Sequence, residues 1–250
     1  MIDLHTHVLP GVDDGCTTIE ESVELARTAA AEGITALAAT PHVRFDYPTE
    51  PATMERLVAQ VSAAVAAAGL AVEILPGGEI AVEMLDRLGL DEAARFGLGG
   101  NPRVVLVEVP YVGWPLLLES WVFRMQAAAV VPVLAHPERN NEVQARPDLL
   151  GALVEAGALV QLTAASVDGR LGSTARRTAA RLLERGFAHL ISSDAHTPGI
   201  RAAGLAGAAA AVGDPELARW LTDDVPRALV TRQPLPQRPL RRGRRLRLGR

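Results

Sequence analysis

At 250 residues the chain is long enough for one large domain or two small ones, and 48% hydrophobic residues suffice for a packed core. A net charge of −4 excludes a general affinity for nucleic acid, and the single cysteine, Cys16, excludes an intrachain disulfide framework and suits a reducing compartment. No apolar run free of charges and breakers approaches the ~20 residues of a membrane helix, and the first residues already read as a strand carrying candidate ligands, so neither an anchor nor a cleaved leader is expected and the cytoplasm is the expected location.

The chain alternates apolar, β-branched runs with segments of helical period. A strand at Ile2–His7 is followed by a helix at Thr17–Glu32, opened by Thr-Thr-Ile-Glu20 as a capping box and closed before Gly33. A strand at Ile34–Ala39 leads to a helix at Pro51–Ala68, which closes before Gly69. Then come strand Val72–Leu75 and helix Val82–Ala94, strand Val104–Val109 and helix Pro115–Ala129, strand Val131–Ala135 and helix Pro147–Ala156. Strand Leu159–Leu162, helix Ser173–Arg185, strand His189–Ser193 and helix Pro215–Asp223 complete the series. Such alternation predicts an α/β fold of parallel strands covered by helices, and seven units favour barrel-like closure over an open doubly wound sheet. Neither a G-x-G-x-x-G fingerprint nor a Walker A motif is present. Residues 1–232 read as one domain and 233–250 as a basic, disordered tail. Seven arginines lie between Arg238 and Arg250, and removing their charge from −4 leaves −11 on residues 1–237.

Five of the six histidines, and several carboxylates, sit where apolar runs end. Imidazoles and carboxylates bind divalent metals. His5 and His7 share one face of the first strand, because strand side chains alternate. Glu79 and Glu108 each read as closing an apolar strand, where a carboxylate is costly unless paired or metal-bound. Asp194 and His196 follow the last strand, His136 follows the fifth, and Asp14 and His42 lie in turns. Taken singly, the His-x-His pair, the Asp13-Asp14-Gly15 turn and a histidine after Thr-Pro are ordinary. Jointly, at the C-terminal ends of six strands, they point to a metal cluster and an enzyme. Strand parity turns His189 away from Asp194 and marks it as structural. Cys16 lacks the Cys-x5-Arg spacing of cysteine-dependent phosphatases, since the residue six further on is Ser22. It reads as a loop residue beside the site. Trp114 and Trp121, at helical spacing, read as core or interface, with Tyr111 and Trp114 close enough to the strand end to line an aromatic pocket.

The blocks His5-Thr-His7 through Val12-Asp-Asp-Gly15, Ala39-Thr-Pro-His42, Leu75-Pro-Gly-Gly-Glu79, Leu106-Val-Glu-Val-Pro-Tyr111, Leu134-Ala-His-Pro-Glu-Arg139, Val160–Ser166 and Ser193-Asp-Ala-His196 stand in a distinctive order. Residues 1–230 thereby resemble the polymerase-and-histidinol-phosphatase (PHP) superfamily and, within it, the bacterial metal-dependent tyrosine-protein phosphatases of capsular and exopolysaccharide systems. The resemblance implies a distorted (β/α)7 barrel of PHP type holding three divalent metals at the C-terminal ends of its strands. His5, His7, Glu79 and Asp194 would hold one. Glu79, shared, would hold a second with Glu108 and His136. Asp14, His42 and His196 would hold the third. Manganese is the metal the family uses best, and the donor set suits iron or zinc as well.

The resemblance also implies hydrolysis of a phosphate monoester. Clustered cations neutralise the ester and lower the pKa of a water to make a hydroxide nucleophile. Arg139 and Arg201 match family positions that grip the phosphate oxygens, and Asp14 or His42 would hold a water that protonates the leaving group. The implied substrate is phosphotyrosine on a protein, namely a membrane-associated tyrosine kinase controlling polysaccharide export. The basic tail could then touch an anionic membrane surface. Asn140, where the family often has Tyr, and the loose Thr197–Arg201 stretch depart from the pattern near the phosphate entrance and leave substrate preference open. The competing readings are a small-molecule phosphoesterase, such as one acting on histidinol phosphate, and a non-catalytic metal-binding module that docks the kinase.

Overall fold

The computed structural model of the chain describes residues 1–197 and 204–240. Its strands are β1 (Ile2–Thr6), β2 (Ala36–Ala39), β3 (His42–Val43), β4 (Glu73–Leu75), β5 (Glu79–Ala81), β6 (Val104–Glu108), β7 (Val131–Ala135), β8 (Leu159–Thr163) and β9 (Leu190–Ser192). Every strand pair is parallel: β1-β2-β4 form one sheet and β3-β5-β6-β7-β8-β9 another. β1, β2, β6 and β8 are buried along their whole length, as expected of apolar strands covered by helices. Leu4, Leu37, Ile80, Leu106, Leu134, Leu162 and Leu190 belong to one continuous core.

The two sheets are linked on both sides. Asp194 N donates to His5 O at 2.9 Å and His7 N to Ala195 O at 2.8 Å, so the chain after β9 runs along β1. On the other side, β2 passes into β3 across Thr40-Pro41, and β4 into β5 across Pro76-Gly77-Gly78.

The seven expected strands all form, with ends shifted by at most two residues. β3 and β5 were not expected. Each is only two or three residues long and follows a Pro or Gly-Gly break, so no apolar run announces it. One expectation is thereby corrected. Glu108 does close β6, but Glu79 opens β5 rather than closing the strand before it.

Helices at Ile19–Ala31, Pro51–Ala67, Leu85–Ala93, Leu118–Ala127, Leu149–Glu155 and Ser173–Arg185 lie where helical period predicts them. The capping box of the first sits one residue later than expected. Thr18 is the N-cap and accepts from Glu21 N at 3.3 Å, while Glu21 Oε2 reaches back to Thr17 N at 2.6 Å. The last expected helix continues past Asp223, through one π turn at Trp220–Asp224, to Thr231.

The segment expected to be a disordered tail is held down over its first part. Trp220 Nε1 donates to Pro236 O at 3.0 Å. Arg238 reaches Leu183 O at 3.2 Å and also Ala188 O, with its guanidinium 5.1 Å from the Trp220 ring centre. Residues 241–250, with most of the arginines, lie outside the described residues. Among the described residues no helix is long and apolar enough to cross a membrane.

Candidate metal centre

All nine predicted ligands converge on one site, although His42 and Glu79 open short strands rather than close them. His5, His7, Glu79, His136, Asp194, His42, Glu108 and His196 are buried, and only Asp14, at the rim, keeps a largely accessible side chain (46%). Their donor atoms fall into overlapping groups whose members lie within 4.8 Å of one another: His5, His7 and Asp194; His5, Glu79 and His136; His42, Glu79 and Glu108; and His7, Asp14, His42 and His196. Of the three sets carried over from the resemblance, only Asp14, His42 and His196 fall whole within one group, and Glu79 groups with His5 and His136 rather than with His5, His7 and Asp194. His7 also reaches the third set, and the Glu79–Glu108 pair is met by His42 while His136 pairs with Glu79.

Glu79 is the hub. Its Oε1 lies 2.8 Å from His136 Nε2, and its Oε2 lies 2.9 Å from His42 Nδ1, 3.3 Å from His5 Nε2 and 3.5 Å from His7 Nε2. Asp194 Oδ1 is 3.4 Å from His5 Nε2 and 3.3 Å from His7 Nε2. Asp14 Oδ1 is 3.3 Å from His196 Nε2 and 3.5 Å from His42 Nε2.

The groups behind the cluster fit it to metal. His7 Nδ1 is tied to Asp13 Oδ2 at 2.7 Å, His5 Nδ1 to Gln161 Oε1 at 3.1 Å, and His196 Nδ1 to Asp194 O at 2.9 Å. In all three histidines Nδ1 therefore donates outward, leaving the Nε2 lone pair facing the cluster, the arrangement metal-binding histidines adopt. Glu79 Oε2 and His42 Nδ1 are buried without a properly formed hydrogen bond, and an unpaired buried carboxylate oxygen is costly unless a cation faces it. The donors are imidazole nitrogens and carboxylate oxygens without thiolate, which suits Mn, Fe or Zn.

The electrostatics agree. Burial pulls the His5 imidazole down, but the Glu79 and Asp194 carboxylates outweigh it and hold it up at about 9. Burial likewise opposes, and Asp13 and Asp194 overcome, a rise at His7 to well above the usual histidine value. Glu79 is held well below the carboxylate range against its burial, chiefly by His5 and His136. Without cations the cluster thus retains protons that bound metal replaces.

Local backbone geometry aims two ligands. His136 and Asp194 adopt left-handed conformations, with φ of 34° and 55°, which non-glycine residues adopt uncommonly. Gly15 is required by close approach, because a Cβ there would lie 2.2 Å from His7 O.

Arg139 stands at the rim, NH1 2.6 Å from Asp194 Oδ2 and its guanidinium 4.5 Å from the Tyr111 ring centre. Arg201 lies outside the described residues. Cys16 is buried beneath the cluster with Sγ 3.6 Å from His196 O, and burial pushes its thiol up to about 12, so it is no thiolate nucleophile. His189 lies away from the cluster against Trp220, its Nδ1 accepting from Val160 N at 3.2 Å. Trp121 is core and Trp114 packs against the core.

Sequence reasoning missed the supporting residues. Asp13 reads in the sequence as ordinary turn chemistry, yet it also accepts from His42 N at 3.0 Å and Gly15 N at 3.0 Å. The charge and hydrogen bond of His7 outweigh burial and hold its carboxyl at about 2. Gln161 Oε1 additionally accepts from His136 N at 3.2 Å. Asp3 Oδ1 accepts from Ser193 N at 3.0 Å and so fixes the turn that carries Asp194. A second Asp beside Asp14 and a lone polar residue within an apolar strand were the available signals.

Comparison with known proteins places this arrangement. Residues 1–220 match the CpsB/CapC family, described as capsular polysaccharide synthesis. The tyrosine-protein phosphatase YwqE of Bacillus subtilis is 36% identical over 198 residues, 78% of this chain and 77% of YwqE. The tyrosine-protein phosphatase CpsB of Streptococcus agalactiae is 25% identical over 211 residues, 80% of this chain and 85% of CpsB. A chain from the crystal structures of YwqE from Bacillus subtilis and CpsB from Streptococcus pneumoniae, described as unique metal-dependent tyrosine phosphatases, superposes with a TM-score of 0.87 at 33% identity, covering 97% of this chain and all of that one. On the match over residues 1–220 and these similarities, the chain belongs to the CpsB/CapC family.

Proposed function

We propose that this chain is a metal-dependent protein-tyrosine phosphatase, a phosphoric monoester hydrolase. The observation that carries the reading is the interlocked cluster of nine ligands around Glu79, with three histidines locked in the tautomer that offers Nε2 inward. The names of the similar proteins agree with it. We read the two sheets as one seven-stave barrel, counting β2 with β3 and β4 with β5 as single broken staves. The hydrogen bonds from the end of β9 to β1 support that count.

Three divalent ions, manganese foremost, would be held by His5, His7, Glu79 and Asp194; by Glu79, Glu108 and His136; and by Asp14, His42 and His196. When bound, they supply neutralisation of the dianionic ester and acidification of the attacking water. Arg139 and Arg201 bind the non-reacting phosphate oxygens. Asp14, at the accessible rim, and His42 beside it hold a water that protonates the leaving phenolate. The exposed side chains of Phe45 and Tyr111, which line the cleft beside Glu108, suit a tyrosine on a protein better than a small metabolite. The substrate is a phosphotyrosyl protein, a membrane-associated tyrosine kinase of polysaccharide export. The enzyme is placed in the cytoplasm, with its basic tail near an anionic membrane surface.

Turnover of a phosphotyrosyl peptide and of histidinol phosphate, measured with Mn²⁺ and after chelation, tests the reading. Mn²⁺-dependent preference for the peptide is expected. Preference for histidinol phosphate would transfer the site to small-molecule hydrolysis, and a metal-loaded protein without turnover would leave a binding module.

A further inference from the structure

A cleft of about 320 Å³ opens directly beside the cluster, between the turn after β3 and the loop after β6. Glu108, Phe45, Tyr111, Pro110 and Arg44 line it, together with the acidic Asp46 and Glu83. Glu108 belongs to both cleft and cluster, its Oε2 lying 3.7 Å from His42 Nδ1. A phosphate drawn to the cluster can therefore leave its ester substituent in this cleft.

The aromatic walls are not core residues. Phe45 is 65% exposed and Tyr111 44% exposed. An exposed Phe contributes little to folding, but the turn that carries it is held firmly. Arg44 N donates to Tyr47 O at 3.0 Å, and Val43 bridges Pro48. The Arg44 guanidinium grips Asp46 through Nε at 3.0 Å and NH2 at 2.7 Å, with NH1 3.5 Å from Glu108 Oε1. The Tyr47 ring stacks on His42 at 5.8 Å between centroids. Phe45 is thus presented at the tip of a turn tied to two cluster residues. Tyr111, which also lines the cleft, is steadied by Arg139 over its ring and by the His136 ring 5.7 Å away. Aromatic walls stack on a planar ring and gain less from an alkyl chain.

We propose that Phe45 and Tyr111 form an aryl slot that selects phosphates of aromatic alcohols, with Phe45 a specificity-determining residue. The proposal rests on the phosphatase reading for its substrate, but its test does not need turnover. Calorimetry on the Mn²⁺-loaded protein compares phenylphosphonate with methylphosphonate, which share the anion and differ in the ring. The wild type is expected to favour phenylphosphonate, and Phe45→Ala to shrink the ratio of the two affinities about tenfold. Phe45→Trp should keep the ratio, as should Phe123→Ala, which removes an exposed aromatic that does not line the cleft. Thermal melts confirm that each variant is folded. Equal affinities in the wild type, or a ratio unchanged in Phe45→Ala, overturn the slot. Hydrolysis of a phosphotyrosyl peptide, run in parallel, tests the phosphatase reading separately: turnover with an unchanged ratio removes the slot alone, and a changed ratio without turnover removes the phosphatase alone.

Discussion

Asp13, Gln161 and the carbonyl of Asp194 do more for this site than their types suggest. Each takes the proton-bearing nitrogen of a cluster histidine and thereby decides which nitrogen faces the metal. Such supporting groups raise metal affinity roughly 10–100-fold. Asp13→Asn is accordingly expected to weaken Mn²⁺ binding by about that factor in a titration, since the amide accepts more weakly and loses the charge. Affinity at the wild-type value would show that His7 is oriented by its strand alone. Cys16 makes the opposite case, a chemically suggestive residue that the fold disarms. Because burial lifts its thiol to about 12, iodoacetamide at pH 8 should leave the folded protein unlabelled and its phosphatase activity intact, while the unfolded chain is labelled by intact mass. Rapid labelling with loss of activity would contradict that assignment.

At the scale of elements, the decisive features are breaks. Thr40-Pro41 divides β2 from β3 and Pro76-Gly77-Gly78 divides β4 from β5, and the short strand after each break begins with a candidate ligand, His42 or Glu79. Each opens on a polar residue straight after a Pro or Gly-Gly break and has no apolar run of its own, so these two were invisible although their candidate ligands were not. Gly78 shows why the break is built as it is. A Cβ there would lie 2.6 Å from Cδ1 of the buried Phe96 ring, so only glycine lets the chain pass before Glu79. Gly78→Ala should cost roughly 1–3 kcal/mol in denaturant unfolding and lower the metal content of the purified protein. A variant with wild-type stability and metal load would mean that Phe96 moves aside freely. His189 stays out of the cluster as expected, though not through strand parity. β9 ends at Ser192, and Asp194 points into the cluster from a left-handed turn rather than from a strand face.

Across the whole molecule, the chain after residue 232 is partly structural. Trp220 holds Pro236, and Arg238 spans Leu183 and Ala188. A chain ending at residue 232 should melt below one ending at residue 240, by roughly 2–4 °C for each kcal/mol those contacts contribute. Equal melting temperatures would return the whole segment to the status of a free tail. The same contact enters the pH response. Burial, then the Arg238 charge, lowers His189 to about 4, and its Nδ1 accepts a backbone hydrogen bond that protonation would break. The folded chain refuses a proton that the unfolded chain accepts near pH 6.5, so the His189 contribution to stability falls as the pH drops from about 6.5 toward 4 and is level below that. His189→Gln should remove on the order of 2 kcal/mol of the difference in unfolding free energy between pH 7 and pH 5. An unchanged difference would place the acid sensitivity elsewhere.

The sequence by itself determined the α/β class, seven of the nine strands, the family and the nine candidate ligands. These depend on local apolar patterning and on chemical types at fixed places along the chain, which survive without knowledge of distant contacts. Only the tertiary structure decided which histidine nitrogen faces inward, which supporting residue holds each ring, and that Phe45 and Tyr111 line a cleft beside Glu108. Each of those depends on residues far apart in the chain, such as His5 with Gln161 or His136 with Glu79, meeting at hydrogen-bond distance. Buried polar groups must find partners wherever packing brings them, and only the folded arrangement of the strands says where that is.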